Sequence, residues 1–130
     1  MEPSFLTLDE VLAIHEEQVR LYGGLAGLRD LALLQSALAM PSAGFGDSYL
    51  HEDLFAMAAA YLFHLARNHP FLDGNKRVAT VAALYFFELN NLEVDADANR
   101  LETLVRGVAE GKVSKSEVAE FFRKAARSKK

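Results

Sequence analysis

Apolar residues recur at helical spacing from near the start of the chain: Leu8, Val11, Leu12, His15 and Val19 fall on one helix face. Thr7 and Glu10 have the spacing of a capping box at the head of this stretch, and the pattern breaks at Gly23 and Gly24. A glycine-rich connection, GLAGLRD, leads into helical composition over residues 31–40, which stops before Pro41. Residues 41–53, PSAGFGDSYLHED, carry turn residues without a clear period, so a loop of roughly ten residues holding a short extended piece is expected. Two later stretches differ in kind. LFAMAAAYLFHLA (54–66) and VATVAALYFFEL (78–89) are apolar on nearly every face, which predicts a pair of helices enclosed by protein, their alanines allowing close backbone approach. After Asn90 and Asn91 comes a short LEVDAD passage, then an amphipathic helix near residues 99–110. A last helix follows Gly111, with Ser114 and Glu117 as a second capping box. Six helices with no repeat and no linker predict an all-α fold.

Composition narrows the function classes. The 130 residues, 51% hydrophobic and 25% charged, suit one domain over residues 1–130 with a sizeable core. With no cysteine there are no disulfides, no thiolate catalysis and no Cys-type zinc sites, which suits a reducing cytoplasm. No apolar run approaches the roughly 18 residues of a membrane span, and the start of the chain lacks a signal-peptide pattern. Neither secretion nor membrane insertion is expected. A formal net charge of −4 disfavours direct nucleic-acid binding. The basic run over residues 123–130 reads as a frayed helix end whose cations suit the helix dipole.

The candidate chemistry sits in the short link between the two apolar helices, RNHPFLDGNKR. Lys76 and Arg77 fall where the second helix begins, and the positive end of a helix repels cations. An external anion would offset this. Gly74 can take backbone angles that other residues avoid, and the amides just after it have no acceptor within the helix. Such a start binds phosphate, to which Lys76 adds a point charge and Arg77 a planar fork. The other arrangement sends both side chains outward to water or to acids on a neighbouring helix. Asp73 likewise has two readings, as a magnesium ligand beside substrate phosphates or as the N-cap of the helix. His69, fixed between Asn68 and Pro70, is placed to take a proton from an incoming hydroxyl. His15, His51 and His64 are read as structural, and Asp95 with Asp97 as a solvated pair. Phe71 and Leu72 are read as anchors, Phe71 turned into the core. Arg29 and Asp30 suit either a helix start or a surface pair.

Residues 69–77, HPFLDGNKR, closely resemble the signature of the Fic/Doc (Fido) family, usually written His-Pro-Phe-x-Asp/Glu-Gly-Asn-Gly-Arg. Chain length, the central placement of this motif and the upstream GLRDLALLQSALAMP are similar to the Doc (death on curing) branch, so the resemblance covers nearly the whole chain. It implies a six-helix Fido domain whose central buried helix pair bears the active-site loop. It also implies His69 as the base for the target hydroxyl, Asp73 as the Mg2+ ligand, and Gly74, Asn75, Lys76 and Arg77 as holders of the ATP phosphates. Lys76 stands where Fic enzymes, which transfer AMP, carry glycine. Doc-type sequences carry lysine there, and Doc toxins phosphorylate a threonine of elongation factor Tu and stop translation. A Doc-type toxin kinase of a toxin–antitoxin pair is therefore expected, with an AMP transferase or an inactive antitoxin- or target-binding module as the alternatives. The family's inhibitory helix carries Ser/Thr-x-x-x-Glu-Gly/Asn, and the nearest approach here, Ser48 to Glu52, is followed by Asp53. This departure points to an external Phd-like antitoxin as the restraint. The resemblance also makes residues 41–53 the loop that aligns the target chain.

Overall fold

The computed structural model describes residues 2–128, and Lys129 and Lys130 of the basic C-terminal run lie outside the described residues. The fold is all-α, as the periodicity predicts. In chain order the elements are α1 (Leu8–Tyr22), α2 (Leu31–Ala39), β1 (Gly44–Phe45), β2 (Ser48–Tyr49), α3 (Leu54–Asn68), α4 (Asn75–Leu89), β3 (Leu92–Val94), α5 (Ala98–Ala109), α6 (Lys115–Ala125) and β4 (Ala126–Ser128). Both capping boxes form: Thr7 with Glu10 opens α1 and Ser114 with Glu117 opens α6.

Helix α3 is the centre, packed against α2, α4, α5 and α6. Its apolar composition on every side follows from this position. Ala58, Ala59, Ala60 and Ala66 of α3 and Ala79, Ala82 and Ala83 of α4 are fully buried, so small side chains let the helices lie close. Aromatic residues fill the space beyond. Tyr61, Phe86, Phe87 and Phe122 form a chain of tilted and edge contacts with centroids 5.0–6.3 Å apart. The Tyr61 hydroxyl accepts the Leu6 N–H at 2.9 Å, which fixes the segment entering α1, and burial pushes that phenol up to about 12.

The expected short extended piece in residues 41–53 is the antiparallel hairpin of β1 and β2, with Gly44 opposite Tyr49. A Cβ at Gly44 would lie 2.3 Å from the Ser48 carbonyl oxygen, so only glycine fits that pairing. The nearest approach to an inhibitory motif therefore begins in a strand, and its Glu52 pairs with Arg123 at 3.2 Å.

At the C-terminus the structure departs from the frayed-end expectation. Helix α6 stops at Ala125, and the chain turns extended to pair with β3 in the register Leu92 to Ser128 and Val94 to Ala126. The Asp95 N–H donates to the Ala125 carbonyl beside this ladder. Backbone pairing over three residues leaves no hydrophobic period to read. Asp97 is the N-cap of α5, where it accepts from the N–H groups of Asn99 and Arg100.

Candidate active site

Five helices begin with a side chain accepting from their own first turn: Thr7, Asp30, Asp53, Asp97 and Ser114. Helix α4 does not. Its N-cap is Gly74, in the left-handed region at φ 79° and ψ 14°, with no side-chain cap bond. The first intrahelical bond runs from the Val78 N–H to the Gly74 carbonyl, so the amides of Asn75, Lys76 and Arg77 have no acceptor within the helix. Asp73 stands one residue outside, which decides against the N-cap reading of that residue.

The loop before this helix start is braced from three sides. Asn75 turns its side-chain amide back onto Phe71, accepting from the Phe71 N–H at 2.9 Å and donating to its carbonyl at 3.0 Å. Phe71 is buried as expected, its ring stacked on His15 at 3.9 Å between centroids and 8° between planes. His15 Nε2 donates to the Asp73 carbonyl at 2.9 Å, so this buried histidine positions the loop. The third brace is the glycine-rich connection after α1. The N–H groups of Arg29 and Asp30 donate to the Pro70 carbonyl, and the Leu72 N–H donates to Gly27. A Cβ at Gly24 would meet Asp73 Oδ2 at 2.6 Å, so that glycine makes room for the carboxylate. Leu72 departs from the anchor reading: its backbone is held and its side chain is 52% exposed.

His69 ends α3 in a left-handed conformation, φ 47° and ψ 55°. Arg29 closes that helix end. Its Nε donates to the His69 carbonyl at 2.6 Å and its terminal nitrogen to the Asn68 carbonyl at 2.9 Å, so one guanidinium grips the last two carbonyls before Pro70. The His69 ring is exposed and makes no hydrogen bond to a described residue. Asp30, beside Arg29, caps α2.

Beyond the loop lies a cavity of about 610 Å³ between α1, α4 and α5. Asp73, Gly74, Asn75, Lys76 and Arg77 all line it, while His69, exposed at the end of α3, does not. Lys76 has no carboxylate within ion-pair distance among the described residues, and Arg77 lies over the Tyr22 ring at 5.4 Å from its centroid. Neither cation forms an ion pair with an acid on a neighbouring helix among the described residues, the alternative that the sequence left open. The Asp73 carboxylate accepts from Leu25 N–H at 3.2 Å and Gly74 N–H at 2.8 Å, and these bonds, with the charge of Arg77, hold it below the usual carboxylate range. Two of its roughly four lone-pair positions stay open. No group of three His, Asp or Glu side chains able to hold a metal exists among the described residues. An ionised, partly satisfied carboxylate beside an uncapped helix start fits a magnesium ion, which takes one or two carboxylates and completes its shell with phosphate and water.

Uncapped amides, two first-turn cations and an ionised carboxylate thus line one cavity. A model of the Fic/DOC family matches residues 5–87, and the chain belongs to that family. It is 35% identical over 116 residues to the protein kinase doc of Escherichia phage P1, a match spanning 89% of this chain and 90% of the relative. It is 41% identical over 90 residues to Toxin Doc of Mycolicibacterium smegmatis, spanning 68% of this chain and 69% of that protein.

Sequence reasoning passed over the loop's supports. His15 lies on the buried face that the period defines, yet its bond to Asp73 joins residues 58 apart. Arg29 bonds across 40 residues, and nothing local marks it. No helix among the described residues is long and apolar enough to cross a membrane.

Proposed function

We propose that the chain is a Doc-type toxin acting as a protein kinase, which moves the γ-phosphate of ATP to a Ser or Thr hydroxyl of a translation factor, with elongation factor Tu the expected target. The observation that carries this reading is the uncapped start of α4, with unpaired Lys76 and Arg77 in its first turn, in a cavity large enough for a nucleotide. The names of the two relatives, a protein kinase and a toxin, support the class.

In this mechanism Gly74 and the amides of residues 75–77 receive the phosphates, Lys76 and Arg77 neutralise their charge, and Asn75 keeps the loop in shape through Phe71. Asp73 would hold Mg2+, which supplies charge neutralisation on the phosphate oxygens. His69, exposed where α3 ends, suits an acceptor on a bulky protein. Its ring takes the hydroxyl proton, the hydroxyl oxygen bonds to the γ-phosphorus, and the bond from that phosphorus to the β-phosphate oxygen breaks, releasing ADP.

A disordered segment of a Phd-like antitoxin is the proposed restraint. Exposed Leu25, Leu28 and Leu72 beside the loop, and Phe45, 94% exposed on the hairpin, offer apolar surface for such a segment. A protein AMP transferase is the second reading, favoured by nothing beyond the shared scaffold, and Lys76 in place of glycine weighs against it. Incubation with cell extract and ATP labelled separately at the α- and γ-phosphates separates the outcomes. Label from the γ position on a protein supports the kinase, label from the α position the AMP transferase, and none on any protein the inactive binding module.

A further inference from the structure

Away from the cavity at α4, three basic side chains meet where α3, α6 and the segment after the hairpin come together. His51, on the way from β2 to α3, is 7% exposed, and neither of its ring nitrogens makes a hydrogen bond. The Met40 backbone lies alongside without the geometry of one. His64 of α3 has its Nε2 3.2 Å from the Nζ of Lys115 on α6. The charge of Lys115 acts on both imidazoles, so the three form one cluster of bases. No carboxylate answers them: Lys115 forms no ion pair among the described residues. The acids nearest in sequence are engaged elsewhere, Glu117 accepting from the Ser114 N–H at 3.0 Å and Glu52 and Asp53 pairing with Arg123. Lys115 is also the first residue of α6, where the helix dipole disfavours a cation and favours an anion. Its amine is half-buried with the Phe63 ring 6.0 Å away, and burial holds it below the ordinary lysine range. A cation at a helix start and a buried imidazole without a partner are both unfavourable, and an anionic group carried on Nζ would relieve both.

We propose that Lys115 is a carbamylation site, whose amine takes up carbon dioxide and presents the resulting carbamate to His64 and His51. The ammonium first loses one proton to solvent. Its nitrogen lone pair then forms the N–C bond to carbon dioxide, and one C=O electron pair moves onto oxygen to give the carboxylate. The proton shed by the nitrogen passes to His64 Nε2, the atom it already faces. A protonated His64 beside a carbamate is an ion pair, because the cation that pushed this imidazole down has become an anion that raises it. His51 donates a ring N–H to the second carbamate oxygen, and the new negative charge sits in the first turn of α6, where the dipole favours it. Carbamylation thereby ties the segment after the hairpin to α3 and α6. None of the three residues lines the cavity at the α4 start, so this site is independent of the phosphotransfer reading.

The test uses the full wild-type chain in bicarbonate buffer, against chloride at equal pH and ionic strength. Alkylation of carbamates with a trialkyloxonium salt, followed by peptide mass spectrometry, fixes the adduct to its residue. Lys115 carries about fivefold or more adduct relative to Lys76, Lys112 or Lys124, since a lowered pKa leaves more free amine at neutral pH. The ring resonances of His51 and His64 shift in bicarbonate and stay in place in chloride. In Lys115→Arg, checked for folding by thermal unfolding, those rings no longer respond to bicarbonate. Adduct spread evenly over the lysines, no adduct on Lys115 at saturating bicarbonate, or imidazole resonances unmoved in wild type overturns the proposal. So does an imidazole response that persists in full in the folded Lys115→Arg variant. The wild-type adduct pattern decides the matter on its own if that variant does not fold.

Discussion

The starts of the two central helices are built to opposite ends. Helix α3 opens on Asp53, which accepts from the Ala56 N–H at 2.8 Å and pairs with Arg123 at 3.0 Å, so its donors and charges are met within the fold. Helix α4 opens on Gly74, its first amides without an acceptor in the helix and its first-turn cations in no ion pair among the described residues. Both helices pack into the same core, so burial does not separate them. The sequence of the first turn does: a capping carboxylate completes a helix, while glycine followed by lysine and arginine leaves its first amides without an acceptor, the arrangement on which the proposed phosphate site rests. The open start should govern reaction rate and the capped start stability.

The largest effect is expected at the loop leading to the open start. His69→Ala should lower phosphoryl transfer by about 10²- to 10⁴-fold, with thermal unfolding unchanged because the ring bonds to no described residue. Transfer at the wild-type rate by a folded variant would remove the histidine from the chemistry. Lys76→Gly converts the start to the glycine-bearing pattern. Phosphorylation should fall sharply, by about tenfold or more, and mass spectrometry of the acceptor should then detect some AMP adduct in place of phosphate.

Arg29→Ala releases the carbonyls of Asn68 and His69 and tests whether the loop needs its brace. A drop in kcat of about ten- to a hundredfold with a smaller change in the KM for ATP is expected, because the residue displaced, His69, is the proposed base for the acceptor. Arg29→Lys should recover part of this. Asp53→Ala strikes the capped start and is the control: it should cost about 1–2 kcal/mol in denaturant unfolding and leave nucleotide affinity unchanged. Equal loss of binding from both helix starts would erase the contrast between them.

The smallest effect concerns acid. His64 lies on α3, where its Nε2 is 3.2 Å from Lys115 Nζ and accepts from that amine, with buried His51 nearby. Burial first, then the charge of Lys115, pushes His64 down to about 4 from an ordinary 6.5. The unfolded chain binds this proton first as pH falls. The stability tied to neutral His64 is therefore complete above pH 6.5 and is lost progressively as pH falls from 6.5 toward 4. His64→Leu should flatten that part of the stability profile, read from denaturant midpoints at several pH values.

What could be read from the sequence follows from what is local. The capping boxes at Thr7 and Ser114 and the all-round apolarity of α3 and α4 are written in consecutive residues, as is the clash of Lys76 and Arg77 with a helix start. Asp73 was open between two roles because both use the same residue type at nearly the same place, and only the position of Gly74 as N-cap separates them. The brace on the loop was illegible. Arg29, His15 and Gly24 act through contacts spanning about 40 to 60 positions, and no spacing in the chain encodes them. The pairing of β3 with β4 was hidden for the same reason, since it joins two three-residue segments at distant places in the chain.

The central claim is that the open start of α4 is a phosphate site. The most direct test is amide-resolved NMR of the full chain titrated with inorganic tripolyphosphate in magnesium buffer. The account predicts that the amide resonances of Asn75, Lys76 and Arg77 shift most, while those in the first turns of the five capped helices stay close to their starting positions. Shifts spread evenly over all helix starts, or residues 75–77 unmoved at saturating ligand, would contradict it.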